Sequence, residues 1–386
     1  MTPEARIAAA IELLDSILGG APAEQSLTRW GRAHRYAGSK DRAAIRDHVF
    51  DALRCRRSFA ALGGGETGRG LMIGALRAAG DDPTALFTGQ GYAPAPLEAD
   101  ELAGGRDPDP LEALDCPDWL APHLQASLGD DFPAIMETLR HRAPVFLRVN
   151  LLKANRDQAQ TALAEDAIVT RAHPLSPTAL EVTENARRVR NSEAFQAGLV
   201  ELQDVASQAI MDRIPLPTGA KVLDFCAGGG GKTLALAGRG AAHLYAHDAN
   251  PARLRDLPKR AARAGADLTI VDRTGAGAAA PFDIVLADVP CSGSGAWRRS
   301  PDAKWDLTAE KLDELCAIQA GILDEIVDLT APDGMIAYAT CSLLEVENQA
   351  QTSAFLARHP EWKLVDEMRL TPLEQGDGFY LALLKR

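Results

Sequence analysis

The sequence of 386 residues is long enough for two or three domains, at about 100 to 200 residues per domain. Hydrophobic residues make up 46% of it and aromatic residues 5%, so we expect cores built mainly from Ala, Leu, Val and Ile. The formal net charge of -12 argues against a nucleic-acid partner unless the basic residues are clustered, because phosphate contacts require Lys and Arg.

The cysteine spacing and the hydropathy of the sequence argue against a disulfide-rich, zinc-binding, secreted or membrane-spanning protein. The six cysteines form no close pair with zinc or redox spacing, and so few in so long a chain do not predict a disulfide framework. A reducing cytoplasm is therefore expected, with no metal ligand set. Charged residues such as Glu4 and Arg6 exclude a signal peptide at the N-terminus, and the absence of an apolar stretch of about 20 residues predicts no membrane span. A monomer is expected.

Residues 1–80 are predicted to be helical. Apolar residues recur at helical spacing from Ile7 to Leu18, and the glycines at 19–20 end that helix. A second helix is predicted over 41–61, ended by the glycines at 63–65. Between Arg29 and Arg57, nine basic residues stand against three aspartates, which fits equally a basic face that meets RNA and a solvated helix face.

The middle of the chain divides into a linker and a small α+β unit. Residues 81–118 are rich in Pro, Gly and Asp and predict little regular structure, with a helical connection up to 143. From 144 the pattern predicts a strand over 145–151, a helix over 157–164 and a strand over 179–182. We therefore divide the chain at 1–80, 81–143, 144–210 and 211–386.

After Pro217, strands alternate with helices. The predicted strands are 221–225, 243–247, 268–271, 283–287, 335–339 and 380–384, and the clearest helix is 309–329. This alternation is typical of an α/β fold with a parallel, doubly wound sheet, that is, a Rossmann-like domain.

The segment VLDFCAGGGGKT at 222–233 places a glycine loop between the first of these strands and a helix. Glycines allow a ligand to approach the backbone and the helix N-terminus closely. The candidate cofactor-binding residues here are Cys226, Ala227, Gly228, Gly229, Gly230, Gly231 and Lys232. A phosphate-binding loop would need glycine where Cys226 stands, and a tight turn without a ligand does not require four glycines. A nucleoside cofactor without a phosphate chain, S-adenosylmethionine above all, fits better.

Acidic residues and cysteines follow several of the predicted strands. Asp224, Asp248, Asp272 and Asp288 all fall near the carboxyl edge of the sheet, where open α/β sheets bind ligands. Each of them alone could instead be a helix cap or turn residue. Cys291 and Cys341 lie in loops at the same edge, whereas a free cysteine is usually a small buried apolar residue. Ser342 and Glu345 have the spacing of a capping box, which does not explain Cys341.

These motifs together resemble the RsmB/Nop/Sun family of RNA 5-methylcytosine methyltransferases. The resemblance is carried by DFCAGGGGKT, DVPCSGSG and ATCSLLEVEN, with support from FLRVNLLK, ELQDVASQ, RRSPDAKW and GDGFYLALLKR, and it covers residues 144–386. It implies that Cys341 is a nucleophile that adds to carbon 6 of cytosine and that Cys291 assists product release. It also implies that the glycine loop, Asp248, Asp272 and Asp288 bind S-adenosylmethionine or orient the base.

The chain departs from the family pattern at Gly229, where the family usually has proline, and we expect a looser loop. Residues 38–59 resemble more weakly the NusB-like RNA-binding domain of bacterial members, which implies small-subunit rRNA as the partner. Two alternatives stay open. A DNA cytosine-5 methyltransferase would use the cysteine at the position of Cys291 and would not need Cys341. An RNA-binding ribosome-assembly factor without catalytic activity would not need either cysteine.

Overall fold

The computed structural model describes residues 1–241 and 243–386, which form two compact units. The helical unit comprises Met1–Arg142 with Trp297–Leu307, and the sheet unit comprises Ala143–Ala296 with Thr308–Arg386. The finer division at 80, 143 and 210 and the likeness of residues 1–80 to a NusB-like domain stay predictions. Among the described residues, no helix has the length and apolar character that crossing a bilayer requires.

The α-helices are α1 Pro3–Leu18, α2 Ala23–Ala33, α3 Ser39–Arg54, α4 Arg56–Gly63, α5 Gly68–Ala79, α6 Ala99–Ala103, α7 Pro110–Ala113, α8 Ala121–Leu128, α9 Phe132–Leu139, α10 Arg156–Glu165, α11 Glu193–Gln196, α12 Val205–Arg213, α13 Gly231–Gly238, α14 Leu257–Ala264, α15 Arg273–Ala279, α16 Asp302–Asp306, α17 Ala309–Ile326 and α18 Gln349–Arg358. The strands are β1 Val145–Val149, β2 Val169–Ala172, β3 Ala179–Glu184, β4 Val200–Leu202, β5 Lys221–Asp224, β6 His243–Ala246, β7 Thr269–Ile270, β8 Phe282–Asp288, β9 Thr330–Thr340, β10 Lys363–Leu370 and β11 Phe379–Lys385.

The helical unit confirms the predicted stop signals. The first helix ends at Leu18, before the two glycines, and α4 ends at Gly63, where Gly64 adopts a left-handed φ of 85° as helix C-caps favour. The single helix predicted over 41–61 is wrong, because Cys55 leaves helical geometry and separates α3 from α4. The linker region also carries the short helices α6 and α7.

The segment 297–307 supplies the groups that end α3. The last carbonyls of a helix have no partner within the helix. Trp305 Nε1 donates to Leu53 O at 2.7 Å, and Lys304 Nζ donates to Arg54 O at 3.2 Å. Burial lowers the pKa of Lys304 to about 8, although Asp115 acts in the opposite direction. The RRSPDAKW motif therefore caps a helix of the helical unit.

The sheet unit begins with the small α+β element. Its four strands form an antiparallel sheet in the order β2-β3-β1-β4. The strand predicted over 145–151 stops at Val149, because the buried Asn150 turns the chain and its Nδ2 donates to Gly198 O and Ala264 O. The sequence pattern missed β2 and β4, which have only four and three residues.

The second sheet has seven strands in the order β10-β11-β9-β8-β5-β6-β7. The five strands β9, β8, β5, β6 and β7 pair in parallel, each with the next. At the other end of the sheet, β11 pairs antiparallel with β9, and β10 pairs antiparallel with β11. All six predicted strands are present. The prediction of a parallel sheet is wrong only at the edge formed by β11 and β10, which pair antiparallel. Val222 packs into the core beneath α12 and α13, and Leu223 packs into the core beneath α17 and α18, as a sheet covered on both faces requires. The strand order reverses at β5, where such sheets bind ligands.

Candidate functional site

The glycine loop follows β5 and is held in one conformation. Gly230 precedes α13 with a φ of 80°, and a Cβ there would lie 2.2 Å from Leu257 Cδ1, so only glycine fits. Gly228 also has a positive φ, and its amide donates to Asp248 Oδ2 at 2.9 Å. Gly229 lies outside the left-handed region, and its carbonyl accepts a hydrogen bond from Arg260. Ala227 N donates to His247 O at 2.8 Å and joins the loop to the end of β6.

A cleft of about 840 Å³ opens beside this loop at the carboxyl edge of the sheet. Its apolar walls come from Phe225, Ile270, Val271, Pro290, Ile318 and Ile322. Its polar groups include the predicted residues Cys226, Asp248 and Asp272, together with Asn250 and Arg253. An apolar cleft with a few polar groups at one end is the usual form of a small-molecule site.

The two predicted carboxylates that line the cleft, Asp248 and Asp272, differ in their surroundings. Asp248 is buried, accepts from Gly228 N and Asn250 N, and lies 3.3 Å from Arg253. Asp272 caps α15 by accepting from Gly275 N at 2.7 Å, so the alternative role of a helix cap holds for this residue while it also lines the cleft. Burial raises the pKa of Cys226 far above its usual value, so Cys226 lines the cleft as a neutral thiol.

Asp224, at the end of β5, is fully buried. Its Oδ2 accepts from Thr233 Oγ1 at 2.6 Å, while its Oδ1 has no hydrogen-bond partner among the described residues. Burial raises the pKa of Asp224 to about 7, and the nearby Asp288 acts in the same direction. A buried acceptor without a donor is costly, so this atom is suited to a donor group from a ligand.

Lys232 and Asp288 form an ion pair next to this loop. Lys232 Nζ lies 2.7 Å from Asp288 Oδ2 and 5.0 Å from the centre of the Phe379 ring. Burial lowers the pKa of Lys232, but Asp288 and Cys341 together outweigh burial and raise it overall. The ammonium group therefore stays charged beside Asp288.

The two predicted cysteines meet at this edge. Cys291 follows β8 and Cys341 follows β9, and their Sγ atoms lie 3.4 Å apart. Gly295 N donates to Cys341 O at 2.9 Å, which joins the two loops. The hydrogen bond to Cys341, together with burial, raises the pKa of Cys291 well above its usual value. The Cys291 thiol is therefore held in its protonated form.

A buried network that the sequence analysis missed supports the cysteine loops. Glu347 accepts from Ser292 N at 2.8 Å, from Gln319 Nε2 at 3.0 Å and from the hydroxyl of Ser342. The capping box predicted for Ser342 and Glu345 is wrong, because the Ser342 hydroxyl bonds to Glu347 and the helix begins only at Gln349. Glu347 lies within the quoted LLEVEN segment, but spacing alone gives no sign of its partners.

The geometry therefore has two parts. One is a cleft at the point where the strand order reverses, lined by Cys226 and carboxylates. The predicted cofactor residues 227–232 and Asp288 do not line this cleft, although Gly228 bonds to its Asp248. The other part, continuous with the cleft through Pro290, is a thiol pair beside a Lys–Asp pair. Among the described residues, no group of His, Cys, Asp and Glu could hold a metal ion. This fold and site define a Rossmann-like class I methyltransferase, the class whose cofactor is S-adenosylmethionine.

Comparisons with known proteins narrow the class to a family. Residues 211–385 match the family described as 16S rRNA methyltransferase RsmB/F, and residues 116–189 match the RsmF/B-like ferredoxin-like domain. Ribosomal RNA small subunit methyltransferase B of Yersinia pestis and that of Yersinia pseudotuberculosis are each 33% identical over 282 residues, or 69% of this chain and 65% of the relative. The chain thus spans just under two thirds of the length of these curated relatives. It belongs to the RsmB/Nop/Sun family.

Solved structures share the fold. The protein PH0851 superposes with a TM-score of 0.80 at 24% identity, covering 100% of this chain and 99% of its own. A methyltransferase homolog protein from Pyrococcus horikoshii gives a TM-score of 0.63 at 22% identity, covering 72% of this chain and 97% of its own. NSun6 from Pyrococcus horikoshii, with SFG, gives 0.61 at 17% identity, covering 70% of this chain and 98% of its own.

Proposed function

We propose that this chain transfers a methyl group from S-adenosylmethionine to carbon 5 of cytosine in RNA, through a covalent bond between Cys341 and carbon 6 of the base. The observation that carries the proposal is the contact of 3.4 Å between Cys291 and Cys341 beside the Lys232–Asp288 pair. A thiol pair next to a fixed proton donor can serve both the addition of sulfur to a pyrimidine ring and its release.

The residues of the cleft fit S-adenosylmethionine. The apolar walls suit an adenine ring, and the Asp248 and Asp272 carboxylates can accept from the ribose hydroxyls. Asp224 does not itself line the cleft, but it precedes the cleft residue Phe225, and we assign its unpartnered Oδ1 as the acceptor for the ammonium of the methionine part. When bound, S-adenosylmethionine supplies an electrophilic methyl group.

Cys341 begins the reaction by adding to the base. Carbon 5 of cytosine is a poor nucleophile, and the bond from Cys341 Sγ to carbon 6 moves the electron pair of the C5–C6 double bond onto carbon 5. In this proposal Asp288 lies at ring nitrogen 3. The Lys232 ammonium, charged in the resting site, supplies a proton to nitrogen 3 through Asp288 across their 2.7 Å contact and is neutral until that proton returns. The ring therefore stays neutral while carbon 5 becomes nucleophilic.

Cys291 acts at the end of the reaction. Once carbon 5 carries the methyl group, a base removes its hydrogen, the C5–C6 double bond reforms, and the bond between carbon 6 and Cys341 breaks. The departing sulfur takes a proton from the Cys291 thiol, which its raised pKa keeps protonated, and nitrogen 3 returns its proton through Asp288 to Lys232. Before the next turnover the proton passes back from Cys341 to Cys291 across the 3.4 Å contact, which restores the Cys341 thiolate. A DNA-type mechanism would exchange the two cysteines, and the raised pKa of Cys291 favours Cys341 as the nucleophile instead.

We further propose small-subunit rRNA as the substrate, with the protein acting as a monomer in the cytoplasm. The two matched rRNA methyltransferase models and the curated relatives support the choice of RNA. A Rossmann-like RNA-binding factor without activity would not need the Lys232–Asp288–cysteine arrangement.

Incubation with S-adenosylmethionine labelled in its methyl group tests the proposal. We expect label in 5-methylcytidine after digestion of RNA, none in DNA, and none with the Cys341→Ala variant. Bisulfite sequencing of rRNA from a deletion strain then locates the nucleotide. Label in another nucleoside, or in DNA alone, would overturn the assignment of the reaction.

A further inference from the structure

The basic stretch between Arg29 and Arg57 separates in the structure into two classes of side chain. Arg46, Arg54, Arg56 and Arg57 pair with Glu24, Asp51, Glu66 and Asp118, so their charges are compensated. Arg29, Arg32, Arg35, Lys40 and Arg42 are exposed and form no ion pair with the residues that the structure describes. In a chain with a net charge of -12, these five cations form a local positive surface.

Three aromatic rings lie within this surface. His34 stacks on Trp30 with ring centres 4.4 Å apart, and its Nδ1 is 2.9 Å from Trp30 O, which fixes the imidazole at the end of α2. Tyr36 meets His34 edge to face at 5.7 Å and is 73% exposed. An exposed tyrosine held by a stacked pair presents a ring face at little cost in conformational entropy.

A groove between α2 and α3 adjoins this surface and is lined by one of the rings and two of the cations. The groove has a volume of about 360 Å³, and Trp30, Arg32 and Arg42 line it. Arg42 is placed by its Nε, which donates to Ala37 O at 2.9 Å. The one carboxylate in residues 27–42, Asp41, is already engaged by Arg6 and the N-terminal ammonium. Arg46 also lines the groove and pairs with Glu24, so this second carboxylate is engaged by a cation as well.

We propose that this aromatic–basic cluster, defined as the three rings and the five unpaired cations, is a binding site for single-stranded RNA. A base stacks on Tyr36, and the adjoining phosphates bind Arg32 and Arg42 in the groove. Stacking on an exposed ring requires an unpaired base, because the bases of a duplex have no free face. The proposal rests on RNA being the substrate but not on the chemistry at Cys341.

Two variants of the full-length chain test the cluster, each with a matched control in the helical unit. Tyr36→Ala removes the ring, and Tyr92→Ala is its control, because Tyr92 is 86% exposed in a segment, 88–95, without Lys or Arg. The combined Arg29→Ala, Arg32→Ala and Arg35→Ala variant removes charge, and Arg106→Ala is its control, because Arg106 is exposed but paired with Glu112. All four changes lie on the surface, and circular dichroism checks the fold.

Binding is measured by fluorescence anisotropy with a labelled, unstructured RNA of 12 nucleotides and with the same strand in a duplex. Loss of a stacked base corresponds to roughly a tenfold or greater loss of affinity for the single strand. Loss of three phosphate contacts lowers the slope of log affinity against log salt by about 2. We expect both effects on the single strand, little effect of Tyr36→Ala on the duplex, and no effect of either control.

Binding within twofold of the controls for both variants would overturn the site. An equal loss on duplex and single strand for Tyr36→Ala, or competition by polyglutamate as strong as by RNA, would overturn the assignment to single-stranded RNA. Formation of the covalent Cys341 adduct at saturating RNA, measured with the same variants combined with Cys291→Ala, separates the two proposals. If the adduct forms and the cluster variants bind RNA as well as their controls, the cluster proposal is refuted and the reaction proposal stands. If the cluster variants lose RNA affinity but no adduct forms, the reaction proposal is refuted and the cluster proposal stands.

Discussion

Cys291 and Cys341 come from loops after two adjacent strands, and their Sγ atoms lie 3.4 Å apart, in hydrogen-bond contact. The Cys291 thiol stays protonated, and in the proposed mechanism Cys291 donates a proton while Cys341 attacks the base. A single substitution at either position should therefore give a different defect.

Cys341→Ala should abolish methylation without loss of cofactor binding or fold, since it removes only the attacking sulfur. Cys291→Ala should form the covalent bond, methylate once and remain attached to its RNA. A denaturing gel should show a shifted protein–RNA band for Cys291→Ala and none for Cys341→Ala or the double variant. The reverse pattern would indicate the DNA-type mechanism, and normal turnover by both single variants would exclude carbon 5 of a pyrimidine as acceptor.

Asp248→Ala should weaken binding of S-adenosylmethionine by one to two orders of magnitude, because a lost charged hydrogen bond is worth roughly 1.5 to 3 kcal/mol. Calorimetry measures the affinity. Asp267→Ala, an exposed carboxylate outside the cleft, is the control and should leave affinity unchanged. Unchanged affinity for Asp248→Ala would mean that the ribose lies elsewhere.

Gly230→Ala should destabilise the glycine loop and reduce cofactor affinity, because an added Cβ lies 2.2 Å from Leu257 and a left-handed φ costs about 1 to 2 kcal/mol. Gly229→Ala is the matched control, because its Cβ meets only the end of the flexible Arg260 side chain at 3.1 Å. It should change the free energy of unfolding by less than about 1 kcal/mol. Equal effects in thermal melts and calorimetry would contradict this account of the loop.

Asp224 should make stability depend on pH near neutrality. Its folded-state pKa of about 7 lies above the unfolded value, so folding favours the protonated form. The contribution of the protonated Asp224 carboxyl to the free energy of unfolding is complete at acidic pH and is lost as pH rises through about 7. Between pH 6 and 8 the Tm should therefore fall more steeply in the wild type than in Asp224→Asn. Parallel curves would show that Asp224 does not titrate in this range.

Cofactor binding should show the opposite dependence on pH if Asp224 Oδ1 accepts from the ammonium of the ligand. The ionised carboxylate is the better acceptor, so affinity should rise from pH 6 to pH 8 and stay flat in Asp224→Asn. Calorimetry at several pH values measures it. A flat wild-type profile would place the ammonium away from Asp224.

Local patterns predicted the elements that decide the site. Hydrophobic runs and turn residues are features of a few neighbouring positions. They predicted the strands at 221–225 and 335–339, the glycines that end the helices, and the places of Asp224, Asp248 and Asp288 at the carboxyl edge of the sheet. The missed strand β10 is largely exposed at the sheet edge, so it lacks the apolar run that marked the others.

Contacts across long sequence separations were beyond such patterns. The sequence placed Cys291 and Cys341 at one edge, but their direct contact depends on the parallel register of β8 and β9, in which Asp288 lies opposite Ala339. Glu347 bonds to Ser292 across 55 positions, and the pairing of Arg46 with Glu24 divides a basic stretch that looked uniform by composition. Tertiary contacts therefore decide which basic side chains of the stretch are left without an ion pair.

The capping of α3 by Trp305 and Lys304 has a consequence for synthesis of the chain. The ribosome produces α3 some 250 residues before the groups that satisfy its last carbonyls. A nascent chain of 1–142 therefore contains a helix end without its donors, and the helical unit is complete only after residue 307 has emerged. By then Cys291 has emerged and Cys341 has not, so the helical unit is finished before the two cysteines can meet.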